Sequence, residues 1–178
     1  MDPSADRVVE ALLERHGRTY AADAGIDVDR NTPAPLFQLL CLALLLSARI
    51  RADAAVSASR ALREAGWTTA DHLASSTWEQ RTEVLNESGY ARYDESTSRM
   101  LGDTVDTLCE RYGGDLRRLR AEGDPNTQRN RLQDFSGIGP LGADIFCREV
   151  QCVWTEHHPF LDARAAESAQ RLGLSGDA

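Results

Sequence analysis

A glycine turn set between two runs of helical spacing constrains this chain more than any other feature. The stretch from Leu132 to Val150 reads LQDFSGIGPLGADIFCREV. Leu132 and Phe135 close one apolar run, and Ala143, Ile145, Phe146 and Val150 make a second. Between the two stands Gly137-Ile138-Gly139, with Pro140 directly after it. The pattern predicts two short helices joined by a tight hairpin. Glycine reaches backbone angles closed to other residues, and without Cβ atoms the turn leaves its N–H groups open to a close visitor. Pro140 suits the first position of the second helix, whose free N–H groups and positive dipole end favour an anion. The amides of residues 136–142 are therefore expected to face solvent or an anion.

The rest of the chain also reads as helix. Val8, Val9, Ala11, Leu12 and Leu13 give Ala5–His16 helical spacing, with Gly17 as its stop. Residues 18–35 have no strong period and end in Asn31-Thr32-Pro33-Ala34-Pro35, a polar connector suited to launching a helix. Leu36–Arg49 is apolar on nearly every side, which predicts a central helix. An alanine-rich helix follows over Ala52–Ala65, closed by Gly66, and Thr69–Leu73 and Thr77–Asn86 read as short helices with hydroxyl caps. Ser88-Gly89-Tyr90 breaks the pattern. Glu95–Tyr112 is amphipathic, with Met100, Leu101, Val105 and Leu108 on its inner side and Gly113-Gly114 at its end. Leu116–Arg120 is a short basic turn, and Thr127 is the expected cap of the helix that feeds the hairpin. No stretch shows strand alternation, so the fold class expected is all-α with short connections.

Composition limits the biochemical classes. The 178 residues suit one domain, or two small lobes sharing a core, and an apolar fraction of 42% is that of a packed soluble protein. The N-terminus is acidic and polar, and the longest apolar run, around Leu39–Leu46, is too short to span a bilayer. A cytoplasmic protein without membrane partners is expected. Cys41, Cys109, Cys147 and Cys152 include no C-x-x-C pair and read as core residues of a reducing compartment. A net charge of −8 opposes binding to a polyanion, although charges on a far face are screened beyond about 8 Å at physiological salt. All 20 basic residues are arginine. No side chain can therefore supply the amine that Schiff-base chemistry needs.

Three segments in order carry a likeness. Phe135-Ser136-Gly137-Ile138-Gly139-Pro140-Leu141-Gly142-Ala143 resembles the hairpin L-P-G-V-G-x-K-x-A of the endonuclease III superfamily of DNA base-excision glycosylases, the HhH-GPD group. Leu44-Leu45-Leu46-Ser47-Ala48 looks like that family's L-L-S-A-Q helix end. Phe160-Leu161-Asp162-Ala163-Arg164, running into Arg171-Leu172-Gly173-Leu174, resembles the family's helix that begins on an aspartate. The likeness covers roughly Pro35 to Leu174. Two departures stand inside it: Leu141 occupies the position of the nucleophilic lysine, and Ser136 that of the hairpin proline.

The resemblance implies an all-α domain over 1–178: an N-terminal helix and connector (1–35), a helical lobe (36–150) carrying the hairpin at 132–150, and a C-terminal segment (151–178) with the aspartate helix. The four closely spaced cysteines of many members are missing, so no iron–sulfur cluster is expected, and the second lobe is expected to be abbreviated. No other cofactor is implied, apart from a monovalent cation at the hairpin carbonyls. The implied partner is damaged double-stranded DNA, bound by a monomer.

Such enzymes flip a damaged nucleotide into a pocket and break its N-glycosidic bond. Positive charge develops on the sugar, and a carboxylate beneath it stabilises that charge or orients water. Asp162 is the candidate, although aspartate also serves as an ordinary helix cap. With Leu141 in the lysine position, any glycosylase activity is expected to be monofunctional. The hairpin residues Gly137, Ile138, Gly139 and Gly142 are expected at the DNA. Arg49, where the family commonly has a gap-filling glutamine, and Tyr90, near a second wedge loop, are candidates for insertion into the base stack. Trp67, Trp78 and Trp154 read as core, and His157 and His158 lie close enough in sequence to Asp162 to line the pocket. A helical hairpin module that binds DNA or protein without chemistry remains the alternative class.

Overall fold

The computed structural model describes residues 3–174, with side chains from Ala5 onward. It is all-α, and no strand occurs among the described residues. The helices are α1 (Pro3–His16), α2 (Tyr20–Asp23), α3 (Pro33–Ser47), α4 (Ala52–Glu64), α5 (Ala70–Ala74), α6 (Trp78–Leu85), α7 (Asp94–Tyr112), α8 (Leu116–Arg120), α9 (Pro125–Leu132), α10 (Pro140–Val150) and α11 (Ala163–Arg171). No helix among the described residues is long and apolar enough to cross a membrane.

The apolar helix α3 is central, as its composition predicts. Leu36, Phe37, Leu39, Leu40, Leu42, Ala43 and Leu45 are almost wholly buried, which leaves α3 no solvent face over its middle turns. Helices α4 and α10 pack along it, and α7 and α8 close further sides. On α7 the inner stripe is Leu101, Val105 and Leu108, while Met100 is only half-buried. Its end is set by Gly113, which takes the left-handed conformation at φ 58° and donates its amide to Cys109.

Local caps account for most of the shorter helices. Thr69 and Thr77 accept amides of the first turns of α5 and α6, and Gln80 reaches back to the Thr77 amide to complete a capping box. Thr127 does not cap α9. Asp124 does, accepting the Thr127 amide at 2.8 Å with Pro125 as the first helical residue, because a carboxylate three positions upstream outcompetes a hydroxyl already inside the helix.

Residues 18–35 hold more structure than their weak periodicity suggests. Thr19 caps α2, and the amide of Ala21 donates to the buried carboxylate of Glu149 on α10 at 2.9 Å. That bond, between residues 128 positions apart, pins the connector to the second hairpin helix. Helices α1 and α11 lie at the periphery, and α11 buries none of its residues.

Candidate functional site

The hairpin forms between α9 and α10. Gly137 turns the chain with φ 78°, and a Cβ there would lie 2.8 Å from Met100 Sδ and 3.2 Å from Leu44 Cγ. Both its conformation and its surroundings demand glycine. The Ile138 amide donates back to Phe135 at 3.1 Å, and the Ile138 side chain is buried. Thr104 donates its hydroxyl to the Ser136 carbonyl at 3.1 Å, fastening the turn to α7. The amides of Gly137 and Gly139 have no hydrogen-bond partner among the described residues, and both glycines are exposed. The carbonyls of Gly137 and Ile138 likewise accept no hydrogen bond among the described residues.

The expected hairpin residues therefore divide. Gly137 and Gly139 present backbone to the outside, whereas Ile138 contributes its side chain to the core. Gly142 is a packing residue: it is buried, and a Cβ on it would sit 2.4 Å from Ser47 Oγ, so its missing side chain lets α10 approach α3. Gly139 is different again. Its φ is −89°, and a Cβ built on it would meet nothing within 4 Å. Nothing inside the fold requires glycine there.

A cleft of about 450 Å³ opens beside the hairpin helix. Leu141, Asp144, Ile145 and Arg148 line it from one stripe of α10, spaced three, four and seven residues from the first. Leu46 and Ile50 line it from the end of α3 and the turn beyond, and Asp162, Ala163, Arg164, Ala165 and Ser168 from the start of α11. Tyr20 closes one side. The three separate segments that carry the likeness thus meet around one cavity. Leu141 is 49% exposed, so the position is open to a visitor rather than buried.

Asp162 sits at the mouth of α11 and is half-buried. Its Oδ1 accepts the Ala165 amide at 2.8 Å, an N-cap. Its Oδ2 lies 3.4 Å from Nη1 of Arg148. The second carboxylate of the cleft, Asp144, is paired with Arg129 at 2.5 Å, and this pairing raises the guanidinium of Arg129 above its ordinary value. Arg49 is exposed on the turn after α3, next to the cleft residue Ile50, and makes no ion pair among the described residues.

Tyr90 does not fit the insertion role. It is fully buried, its hydroxyl donates to the Leu45 carbonyl at 2.9 Å, and burial pushes the phenol up to about 12. Its register within the π-turn Asn86–Tyr90, where Gly89 has φ 88°, directs the ring inward rather than toward a visitor. Trp154 is core, while Trp67 and Trp78 are half-buried. His157 is buried against Gln128, with Nε2 2.8 Å from its Oε1, and does not line the cleft; His158 is exposed and does not line it either. The four cysteines are free, and burial pushes the Cys41 and Cys147 thiols up to about 12.

Most of the cleft lining, Ile50, Arg164 and Ser168 among it, carried no functional mark in the sequence. Tyr20, Asp144 and Arg148 come to the cleft, and for the last two the signal was available: they fall on the helical stripe that begins at Leu141. Tyr20 gave no local signal, since its placement depends on the contact between Ala21 and Glu149. No family model matches the chain, and no curated protein matches it in sequence.

Proposed function

We propose that this chain is an endonuclease III-like DNA N-glycosylase of the helix-hairpin-helix type, monofunctional, with Asp162 acting on the sugar. The observation that carries the reading is the shared cleft: Leu141 of the hairpin helix, Ile50 beside Arg49, and Asp162 at the start of α11 all line it. Gly139 adds to it. Glycine at a position with room for a side chain and an ordinary backbone is explained by a visitor that must approach the amides closely, as a DNA phosphate does. The monovalent cation implied by the resemblance fits the carbonyls of Gly137 and Ile138, where it would add positive charge against the same phosphate.

The chemistry follows from the side chains present. A damaged nucleotide leaves the stack and enters the cleft, and the exposed Arg49 fills the gap left behind. The bond between the sugar and the base nitrogen breaks with its electron pair leaving on the base. Positive charge on the sugar is met by the Asp162 carboxylate through Oδ2, since Oδ1 is committed to the helix. Water adds to the sugar carbon and yields its proton to the carboxylate. The departing base takes up one proton from solvent and the carboxylate returns the water's proton to solvent, so the products are free base and an intact abasic site. Leu141 brings no amine, so no covalent enzyme–sugar adduct forms through a side chain.

One observation favours a second reading. The cap to Ala165 and the contact with Arg148 account for both oxygens of Asp162 without chemistry, as in a hairpin module that only binds. Incubation with duplexes carrying single lesions, followed by alkali to reveal abasic sites, separates the two. Release of any damaged base supports the enzyme, and binding without release supports the module.

A further inference from the structure

Arg148 holds a place that the mechanism above leaves unused. Its neighbours on the α10 stripe, Leu141, Asp144 and Ile145, line the cleft with it, and its side chain remains about one-third exposed, at 34%. Three groups surround its guanidinium. Nη1 is 3.4 Å from Asp162 Oδ2, Nε is 3.7 Å from Glu149 Oε1, and the guanidinium carbon stands 5.7 Å from the centre of the Tyr20 ring. A planar group met at two edges and one face has little freedom to turn.

Its partners are themselves fixed. Glu149 has a side chain only 3% exposed and accepts the Ala21 amide at 2.9 Å, which brings Tyr20 under the guanidinium. Asp162 is anchored through Oδ1 by the cap on α11. What the cap leaves undefined is the setting of Oδ2, the oxygen that the helix does not hold. Arg148 reaches that oxygen and no other atom of the carboxylate. The neighbourhood also carries three carboxylates, those of Asp144, Glu149 and Asp162, and Arg129 neutralises only the first. Removing Arg148 would leave the Glu149 and Asp162 carboxylates without the cation that both contact.

We propose that Arg148 is a positioning residue that sets the Asp162 carboxylate for its work on the sugar, clamped in turn by Glu149 and Tyr20. This inference rests on the glycosylase reading. Arg148 acts through Asp162, so its effect belongs to turnover rather than to DNA affinity. A misplaced catalytic group costs on the order of 10²-fold in rate.

The test is a double-mutant cycle in single-turnover base release, using the lesion duplex that the wild-type protein cleaves best, with DNA affinity measured on the same duplex. Arg148→Ala is expected to lower the release rate by about 10²-fold with affinity little changed, and Arg148→Lys, which keeps the charge but not the fork, to recover part of the loss. In an Asp162→Asn background, Arg148→Ala is expected to have no further effect, a result a merely structural role would not give. Thermal unfolding of each variant establishes that it is folded. Equal losses from Arg148→Ala in both backgrounds, or no loss in either, would overturn the inference and leave the glycosylase reading standing. If the wild-type protein releases no base from any duplex, the glycosylase reading fails, and this inference falls with it.

Discussion

Gly142 on α10 and Ser47 on α3 meet so closely that a methyl group on the glycine would lie 2.4 Å from the serine Oγ. The contact fixes how near the hairpin helix can come to the central helix. It therefore fixes where the cleft stripe of α10 stands relative to Leu46 and Ile50. Ser47 Oγ donates to the Ala43 carbonyl at 2.7 Å, so the hydroxyl cannot rotate away without losing that bond. Gly142→Ala is expected to destabilise the fold by about 1–3 kcal/mol through overpacking. Pairing it with Ser47→Ala, which removes the opposing oxygen, should restore most of the loss. Denaturant unfolding of the two single variants and the double variant checks this, and additive losses would contradict it.

Gly139 makes the opposite demand. With open space around its missing Cβ, Gly139→Val should cost no more than about 1 kcal/mol, as a poorer helix cap. A charge-assisted hydrogen bond to phosphate is worth about 1.5–3 kcal/mol, so obstructing one amide should weaken duplex binding about tenfold or more. Fluorescence anisotropy with labelled duplex measures this. Unchanged affinity would remove the hairpin from the DNA interface.

Acid should loosen the region around α9. Arg120 holds Glu156 in a two-pronged pair at 2.7 and 2.6 Å and lowers its carboxyl from the usual 4.5 to about 2. A depressed carboxyl stabilises the fold above its unfolded value, and that contribution disappears as the pH falls from 4.5 toward 2. His157 adds to the same trend at higher pH. Burial lowers its pKa from 6.5, so below 6.5 the unfolded chain takes up a proton that the folded ring resists. Tm should fall in two stages as the pH drops from neutrality. His157→Gln should remove the upper stage and Glu156→Gln the lower, and a Tm that does not change between pH 7 and 5 would contradict the first assignment.

Leu141→Lys asks whether the cleft is built as proposed. The leucine is half exposed and lines the cavity with Asp162, so a lysine there can reach a sugar carbon if it loses its proton in that setting. The variant is expected to nick DNA at abasic sites and to give a borohydride-trappable adduct. The wild type should give none through a side chain, and efficient trapping by the wild type would contradict the role assigned to Leu141.

What the sequence made legible was local. The unbroken apolar run of α3, the bounds of α8 and the threonine caps at Thr69 and Thr77 depend on neighbours within one or two turns. The hairpin was legible too, because Gly137 and Pro140 declare their backbone needs directly. The inward turn of Tyr90 was not, since it depends on a hydrogen bond to Leu45, 45 residues away. Nor was the arrival of Tyr20 at the cleft, which hangs on the buried Glu149 carboxylate. Gly142 and Gly139 look alike in the sequence, and only their surroundings distinguish a packing glycine from an open one. Asp162 read as both cap and candidate catalyst; the cap is seen in the Ala165 amide bonded to one oxygen, while the other oxygen lies against Arg148.

That divided carboxylate permits the most direct measurement. Asparagine caps a helix about as well as aspartate, so Asp162→Asn should keep α11 and the overall stability nearly intact while removing the charge. Base release from a panel of single-lesion duplexes, measured for the wild type and for Asp162→Asn beside their DNA affinities, tests the central claim. The account predicts release of at least one damaged base by the wild type, a loss of orders of magnitude in the variant, and affinity unchanged or improved. No release by the wild type from any duplex, with Asp162→Asn altering only stability, would contradict it.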